Sequence, residues 1–392
     1  MSAHPTLTAE QLEVRDLVRR VAREKVAPRA DAIDRHAEYP EDMFQLLRGL
    51  GLFTLPFPKE YGGMGSMVSA CLAIEELGRV CYNTAYLLAV QWTPFGAILA
   101  AGTEAQKQRY LPDLASGNLR AAISVTEPQS GSDVAGIRTV AKRNDKGYVI
   151  SGSKAWCTGA PYADFIVVAA KTEMGIGTAT SGRSGIELFI IRKGTPGFTL
   201  GRNEEKVGGR GVPSSPLFFD EVQVAEEDLL GQPGKGFKNV MEAFNSARPI
   251  IAARGVGLAQ GAIDHAIGFV RTRKTFGQQV SEYQGVRWML ADMMMQTESA
   301  RRLVYHAATL VDANVSGKQL APYAAMAKCV ASDAAMKVAV DAVQLFGASG
   351  VSAEFPINRY MRDAKLLQIV EGTNQIQRNI IAKSLFDGFE PI

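Results

Sequence analysis

Four stretches of this 392-residue sequence carry side chains suited to chemistry. The most pointed is Gln368-Ile369-Val370-Glu371-Gly372-Thr373-Asn374-Gln375-Ile376-Gln377, where one carboxylate follows an apolar pair and precedes a glycine and hydroxyl turn. Apolar surroundings disfavour the anion, so the carboxyl pKa rises and Glu371 becomes a better base. A plain helix N-cap would use the same residue types. A second stretch, Val125-Thr126-Glu127-Pro128-Gln129-Ser130-Gly131-Ser132-Asp133, gathers hydroxyls and a glycine. Its N–H and O–H groups could converge on a polar ring edge or a phosphate. By composition alone, a turn with local Ser and Asp hydrogen bonds is the simpler reading. In Ala155-Trp156-Cys157-Thr158-Gly159 the indole could stack on a planar cofactor, or be core. In Arg271-Thr272-Arg273-Lys274-Thr275-Phe276-Gly277 an arginine fork could hold a pyrophosphate, or mark a charged helix end.

Other chemistries are poorly served. Gly255-Val256-Gly257-Leu258-Ala259-Gln260-Gly261 has the wrong spacing for a dinucleotide fingerprint and sits in a helical pattern without a preceding strand. Gly231-Gln232-Pro233-Gly234-Lys235-Gly236 lacks the spacing and the hydroxyl of a P-loop. Both read as structural glycines. Cys71, Cys81, Cys157 and Cys329 show no CxxC spacing, and His4, His36, His265 and His306 no ligand spacing, so no metal and no disulfide framework is expected. Net charge is +3 with no basic run, which argues against nucleic acid or a membrane surface as partner. The N-terminal stretch lacks the pattern of a secretory or transit signal, and no apolar run approaches a membrane span. A cytoplasmic, bacterial protein is expected.

Three zones must position these stretches, and together they predict an α+β fold. Residues 1–120 form an N-terminal helical domain, in which Val14, Leu17, Val18 and Val21 recur at helical spacing. Pro56, Pro58 and Gly62-Gly63 interrupt it as a loop. Residues 121–232 carry short apolar runs such as Phe165–Val168 and Leu188–Ile191. Connectors too short for crossover helices predict a middle antiparallel β domain. The Gly/Ser/Thr-rich stretch 175–185 reads as a hairpin loop. Residues 233–392 form a C-terminal bundle, with one apolar stripe running from Tyr323 to a stop at Gly347. Met293-Met294-Met295 reads as core filling.

With Pro58-Lys59-Glu60-Tyr61-Gly62-Gly63, the four stretches occur in an order and spacing that resembles the acyl-CoA dehydrogenase family from end to end. The resemblance implies a helix–β–helix fold, tightly bound FAD, a homotetramer and a place in fatty acid metabolism. It places Val125, Thr126, Trp156, Cys157 and Thr158 at the flavin ring. Ser132 would contact the CoA arm, and Asn245 and Arg248 the CoA part of the substrate. Arg273, Phe276, Gln284, Gln344, Gly347 and Ala348 would reach the FAD of a neighbouring subunit, and Thr373 and Gln375 would contact the adenine-nucleotide end of FAD. Glu371 would be the base, with Gly372 beside it at the substrate. By the same resemblance the thioester carbonyl accepts from the Glu371 N–H and a ribityl hydroxyl. Glu371 takes the α-proton, flavin N5 the β-hydride, and a trans-2-enoyl-CoA results. Electrons then pass to an electron-transfer flavoprotein.

Some relatives carry the base just before the residue matching Arg248; here Phe244-Asn245-Ser246-Ala247 has no carboxylate, which favours Glu371. Ala348 stands where the family usually has a second glycine, and Ser214-Ser215-Pro216 also departs from its pattern. Between Arg79 and Lys107 there is no Lys or Arg, and Asn83 stands where a cation for a second carboxylate would be expected. A dicarboxylic substrate is therefore not expected, and Tyr86–Phe95 suggests an apolar pocket narrowed by Trp92. An oxidase on the same fold, or a CoA- or FAD-binding assembly protein without catalysis, are the rival readings; retention of Glu371 and the flavin stretches argues against the second.

Overall fold

Thr8 accepts the backbone N–H of Gln11, whose side chain returns the bond to the Thr8 N–H, and this capping box opens α1 (Ala9–Val21). The computed structural model describes residues 7–172 and 185–390; the stretch expected as a hairpin loop lies outside them except for Gly185. After α1 come α2 (Ala30–His36), α3 (Glu41–Gly49), α4 (Met67–Gly78), α5 (Tyr82–Ala101) and α6 (Glu104–Ser116). By length and hydropathy α5 is the one candidate membrane span among the described residues, yet 78% of its apolar window is buried inside the protein. A helix apolar on all sides is a core helix when neighbours cover it.

The strands are β1 (Ala121–Ser124), β2 (Val140–Asn144), β3 (Gly147–Thr158), β4 (Phe165–Thr172), β5 (Ile186–Arg192), β6 (Phe198–Leu200) and β7 (Ser214–Val224). They form one sheet in the order β1-β4-β2-β3-β7-β6, with β5 also on β4. The sheet is mixed rather than purely antiparallel, because β1 and β2 both pair parallel with β4. β1 meets the start of β4 and β2 its end, so the chain leaves the sheet between them and returns in the same direction. That excursion holds the Val125–Asp133 stretch. Short connectors did not exclude parallel pairing because a loop, not a crossover helix, separates the two pieces. Alternate residues of β4 divide between two cores: Phe165, Val167 and Ala169 face the helices, while Ile166, Val168 and Ala170 join a second cluster.

The chain then runs through α7 (Gly236–Thr272), a small hairpin of β8 (Lys274–Thr275) and β9 (Gln278–Gln279), α8 (Gln284–Asp312), α9 (Gly317–Phe346), α10 (Ala348–Val351), α11 (Ile357–Leu367) and α12 (Asn374–Phe386). α9 stops at Gly347, whose φ is +59°. The glycines that mimic a dinucleotide fingerprint lie inside α7. A Cβ on Gly257 would sit 2.2 Å from the Glu75 carbonyl oxygen, and one on Gly261 2.0 Å from that of Arg79. These positions let α7 lie against α4. Of the methionine triplet only Met293 is core; Met294 and Met295 are exposed, because three consecutive helical residues cannot share one face.

Candidate active site

Glu371 stands on the turn between α11 and α12 with φ +57°, followed by Gly372 at +86°. A non-glycine residue in the left-handed region costs energy and persists only where its surroundings impose it. Here they do. Lys328 Nζ on α9 donates to the Gly372 carbonyl at 2.9 Å and to Asn374 Oδ1 at 2.9 Å. Gln377 Nε2 donates to the Gly372 carbonyl at 2.9 Å and to that of Glu371 at 3.3 Å. Asn374 Nδ2 is bonded in turn to Ser332 and Asp333. Thr373 Oγ1 caps α12 by accepting the Ile376 N–H at 3.3 Å. The capping role open to this stretch is thus real, but it belongs to Thr373 and leaves Glu371 free.

Glu371 Oε2 is buried and has no hydrogen-bond partner among the described residues. Burial raises the carboxyl above its ordinary value, opposed by the charges of Arg254, Arg248 and Lys328, in that order. Arg248 on α7 is itself lowered to about 10 by burial. It donates from Nη1 to Asn245 Oδ1, while its Nε has no partner. Lys328 is lowered to about 8, again by burial. Arg254, further along α7, is fully buried. Its guanidinium carbon lies 4.4 Å from the ring centre of Tyr82 and 4.0 Å from that of Tyr86, both on α5.

The sheet approaches from the other side. Tyr86 Oη lies 3.3 Å from Thr158 Oγ1, which is 3.2 Å from Ser214 Oγ. Lys206 Nζ donates to Ser214 Oγ at 3.3 Å and to the Val212 carbonyl, so the serine that departs from the family pattern belongs to a continuous polar chain. The register of β3 on β7 shifts between Lys154 and Cys157. Trp156 occupies this bulge with φ +60° and is 55% exposed. A bulge re-aims a side chain, and here it turns the indole out of the sheet. Cys157 points the opposite way: its Sγ lies 3.7 Å from the Ile123 carbonyl inside the second core, and burial raises the thiol to about 12. Its side chain therefore belongs to the packing, which leaves only its main chain for the expected cofactor contact.

The loop between β1 and β2 is anchored from below. Lys154 Nζ meets Glu127 Oε1 at 2.8 Å and the Val125 carbonyl at 3.2 Å, and both charged side chains are essentially buried. Glu127 also accepts the N–H groups of Arg138 at 2.6 Å and Thr139 at 2.9 Å. The Ala155 N–H reaches the Thr126 carbonyl at 2.9 Å. Val125 and Thr126 are thereby held beside Trp156 and Thr158, while Ser132 lies exposed further along the loop.

The structure thus gathers Thr126, Trp156, Thr158, Arg248 and Glu371. A second set lies apart: Arg273, Phe276, Gln284, Gln344, Gly347 and Ala348 are exposed. Phe269 stacks on Phe346 at 4.2 Å, which brings the hairpin and the end of α9 to one end of the bundle. Phe276, on that hairpin, is 94% exposed. Gln375 is exposed as well. Trp92 is buried and donates its indole N–H to the Phe53 carbonyl at 2.8 Å. A cavity of about 580 Å³ between α1, α4, α7 and α11 shares no residue with the Glu371 cluster.

Sequence reasoning missed Tyr82, Lys154, Lys206, Arg254 and Lys328. The last had a signal: a lone cation in the apolar run Ala324-Ala325-Met326-Ala327-Lys328-Cys329-Val330-Ala331.

Known proteins match the chain along nearly its whole length. Models described as the acyl-CoA dehydrogenase N-terminal, middle and C-terminal domains match residues 8–118, 122–222 and 234–386. The sequence is 42% identical over 386 residues to an acyl-CoA dehydrogenase of Bacillus subtilis (strain 168), covering 97% of this chain and 99% of that one. Butyryl-CoA dehydrogenase from Megasphaera elsdenii superposes with a TM-score of 0.92 at 37% identity, over 98% of this chain and 100% of that one. A chain from a structure of the electron transferring flavoprotein of Acidaminococcus fermentans gives 0.91 at 38% identity, over 98% and 99%.

Proposed function

The chain belongs to the acyl-CoA dehydrogenase family, which depends on FAD, and on that premise we propose that it oxidises an acyl-CoA to a trans-2-enoyl-CoA with Glu371 as the base. The observation that carries this reading is the buried, unpartnered Oε2 of Glu371, held in a strained turn and raised in pKa by burial. A carboxylate that makes no ion pair and resists desolvation is poised to accept a proton.

The residues present fit a flavin. Trp156 offers an exposed aromatic face at the bulge, with Thr158 beside it and the backbone of Val125 and Thr126 across from it. These four would hold the ring. Cys157 would contribute main chain only. Bound FAD supplies the acceptor for the hydride lost from Cβ, so that the electron pair left at Cα by proton removal closes the double bond. Glu371 takes the α-proton on its carboxylate, and its backbone N–H, with Gly372 beside it, polarises the thioester carbonyl. Asn245, Arg248 and Ser132 would bind along the CoA arm. Arg273, Phe276, Gln284, Gln344, Gly347 and Ala348 would cover the FAD of a neighbouring copy in a homotetramer, with Thr373 and Gln375 at the adenine end. Their exposure at one end of the bundle supports that role. An electron-transfer flavoprotein in the cytoplasm would reoxidise the enzyme.

Glu371→Gln tests the assignment. The variant should remain yellow and bind acyl-CoA, while anaerobic flavin bleaching slows by about 10³-fold or more. Normal bleaching by the variant would place the base elsewhere. In the unaltered protein the bleaching rate should rise with pH through a limb above the ordinary carboxylate range, because only the anion accepts a proton.

A further inference from the structure

Arg254 has no work to do in the mechanism above, yet its placement is costly. The side chain is fully buried, and among the described residues Nε, Nη1 and Nη2 all lack a hydrogen-bond partner. A guanidinium cannot shed its proton to relieve burial, so it needs either an acceptor or a strong compensating field. The rings of Tyr82 and Tyr86 supply part of the second. A cation–π contact satisfies the face of the ion but leaves its in-plane N–H fork unpaired. The hydroxyl of Tyr82 is likewise buried without a partner among the described residues.

The nearby carboxylates do not fill this role. Glu371 makes no hydrogen bond to Arg254, although Arg254 is the leading charge opposing the rise of its pKa. Asp363 is also buried, but its Oδ1 accepts the Gly209 N–H at 2.7 Å and burial raises it to about 7. Lys206 is lowered to about 8 by burial, with Asp363 opposing and Arg254 adding to the shift. Arg254, Arg248 and Lys328 thus all act on Glu371, and among the described residues the planar fork of Arg254 stays unpaired.

We propose that Arg254, set between Tyr82 and Tyr86, receives a second carboxylate, so that the substrate is an acyl-CoA whose acyl group carries an anionic terminus. This rests on the reading of Glu371 as the base and names the substrate class of the same site. A carboxylate meets a guanidinium through two parallel hydrogen bonds, whereas an alkyl tail would leave the buried fork unpaired. The expectation from sequence is thereby reversed. It sought a cation on the helix holding Asn83 and found none; the structure brings the cation across from α7 onto the aromatic face of α5. Asn83 is occupied elsewhere, its Oδ1 accepting the Gly211 N–H at 3.0 Å.

The test uses the FAD-loaded enzyme with glutaryl-CoA and adipyl-CoA, their ω-amides, and pentanoyl-CoA and hexanoyl-CoA, with kcat/KM read by flavin reduction. At least one ω-carboxyl substrate should exceed its amide and its alkyl counterpart by on the order of a hundredfold. Arg254→Gln should collapse that ratio, and Arg254→Lys should restore part of it. In the Glu371→Gln background, adding Arg254→Gln should weaken binding of the same ω-carboxyl substrate, followed by the flavin spectrum without turnover. Preference for the alkyl substrates, or equal use of amide and carboxylate, overturns the proposal. So does an unchanged ratio in Arg254→Gln. Each of these leaves Glu371 as the base, which fails only if Glu371→Gln bleaches normally. Should Arg254→Gln not fold, the panel on the unaltered enzyme still decides.

Discussion

Glu127 and Glu371 are both glutamates withdrawn from water beside basic side chains, and they titrate in opposite directions. Burial pushes the Glu127 carboxyl up, but contact with Lys154 at 2.8 Å and two backbone N–H donors outweighs it and leaves it at about 2. Glu371 has three cations acting on it and a buried oxygen bonded to none of them, so burial wins. The lesson is about contact rather than charge count. A buried carboxylate touched by its counter-ion becomes a strut, because protonating it would strand the partner. One that only senses its counter-ions through space keeps its proton affinity and can act as a base. The strut holds Val125 and Thr126, the proposed flavin contacts; Glu371, the proposed base, stands on the helical side.

The largest effect that would sharpen this contrast is on the strut. Lys154→Met should destabilise the folded protein by about 3–5 kcal/mol, because Glu127 is left buried and unpaired. Adding Glu127→Gln should recover most of that, since the amide oxygen can still accept from Arg138 and Thr139. Denaturant melts of the single and double variants check it. If Lys154→Met alone were neutral, the pair would not be the anchor and the contrast would dissolve. The pH dependence has a definite sign. The depressed pKa of Glu127 gives stability that is full above the unfolded value of 4.5 and is lost as pH falls toward about 2. The double variant should lack this dependence.

Much of this was legible in the sequence, and the residues that were not share a cause. Apolar periodicity located the helices and strands because burial on one face leaves a repeating trace, as in β4. The Glu371 turn and the Trp156 bulge stood out through short stretches of unusual residues adjacent in the chain. Arg254 and Lys328 did not, because their meaning lies in what faces them across space: two tyrosines on α5 for one, the Gly372 carbonyl and Asn374 on the turn for the other. Cys157 misled for the complementary reason. It is adjacent to two outward residues, but strand alternation turns its side chain to the opposite face. The parallel pairing of β1 and β2 with β4 was hidden because their loop leaves and rejoins one edge.

A smaller effect tests how Glu371 is held apart from its cations. Lys328 clamps the turn through Gly372 and Asn374, and it is the weakest of the three charges opposing the rise in Glu371. Lys328→Met should leave the Gly372 carbonyl with one donor fewer, costing about 1–3 kcal/mol. It should also slow flavin reduction more than it weakens acyl-CoA binding, since the base loses its posture rather than its pocket. The acid limb of the reduction rate should move to higher pH, because a charge that favoured the carboxylate has gone. The shift should stay under about one pH unit, with Arg254 and Arg248 still present. A shift to lower pH would mean that Lys328 acts on Glu371 by desolvating it rather than by charge.

The smallest effect separates the clamp from the cap. Thr373 lies between Glu371 and α12, and its hydroxyl accepts the Ile376 N–H at 3.3 Å. Removing such a cap typically costs about 1 kcal/mol. Thr373→Ala should therefore lower stability by that amount, and Thr373→Ser should restore it, because serine presents the same oxygen. If the posture of Glu371 depends on the Lys328 and Gln377 bonds to the turn carbonyls, flavin reduction at saturating FAD should fall far less in Thr373→Ala than in Lys328→Met. The reverse ranking would assign the turn to the start of α12, and Glu371 would then be held by local helix geometry as Glu127 is held by its partner. Stopped-flow reduction of the two variants under identical FAD loading distinguishes these cases, because a cap acts on the whole helix whereas the clamp acts on two carbonyls beside the base.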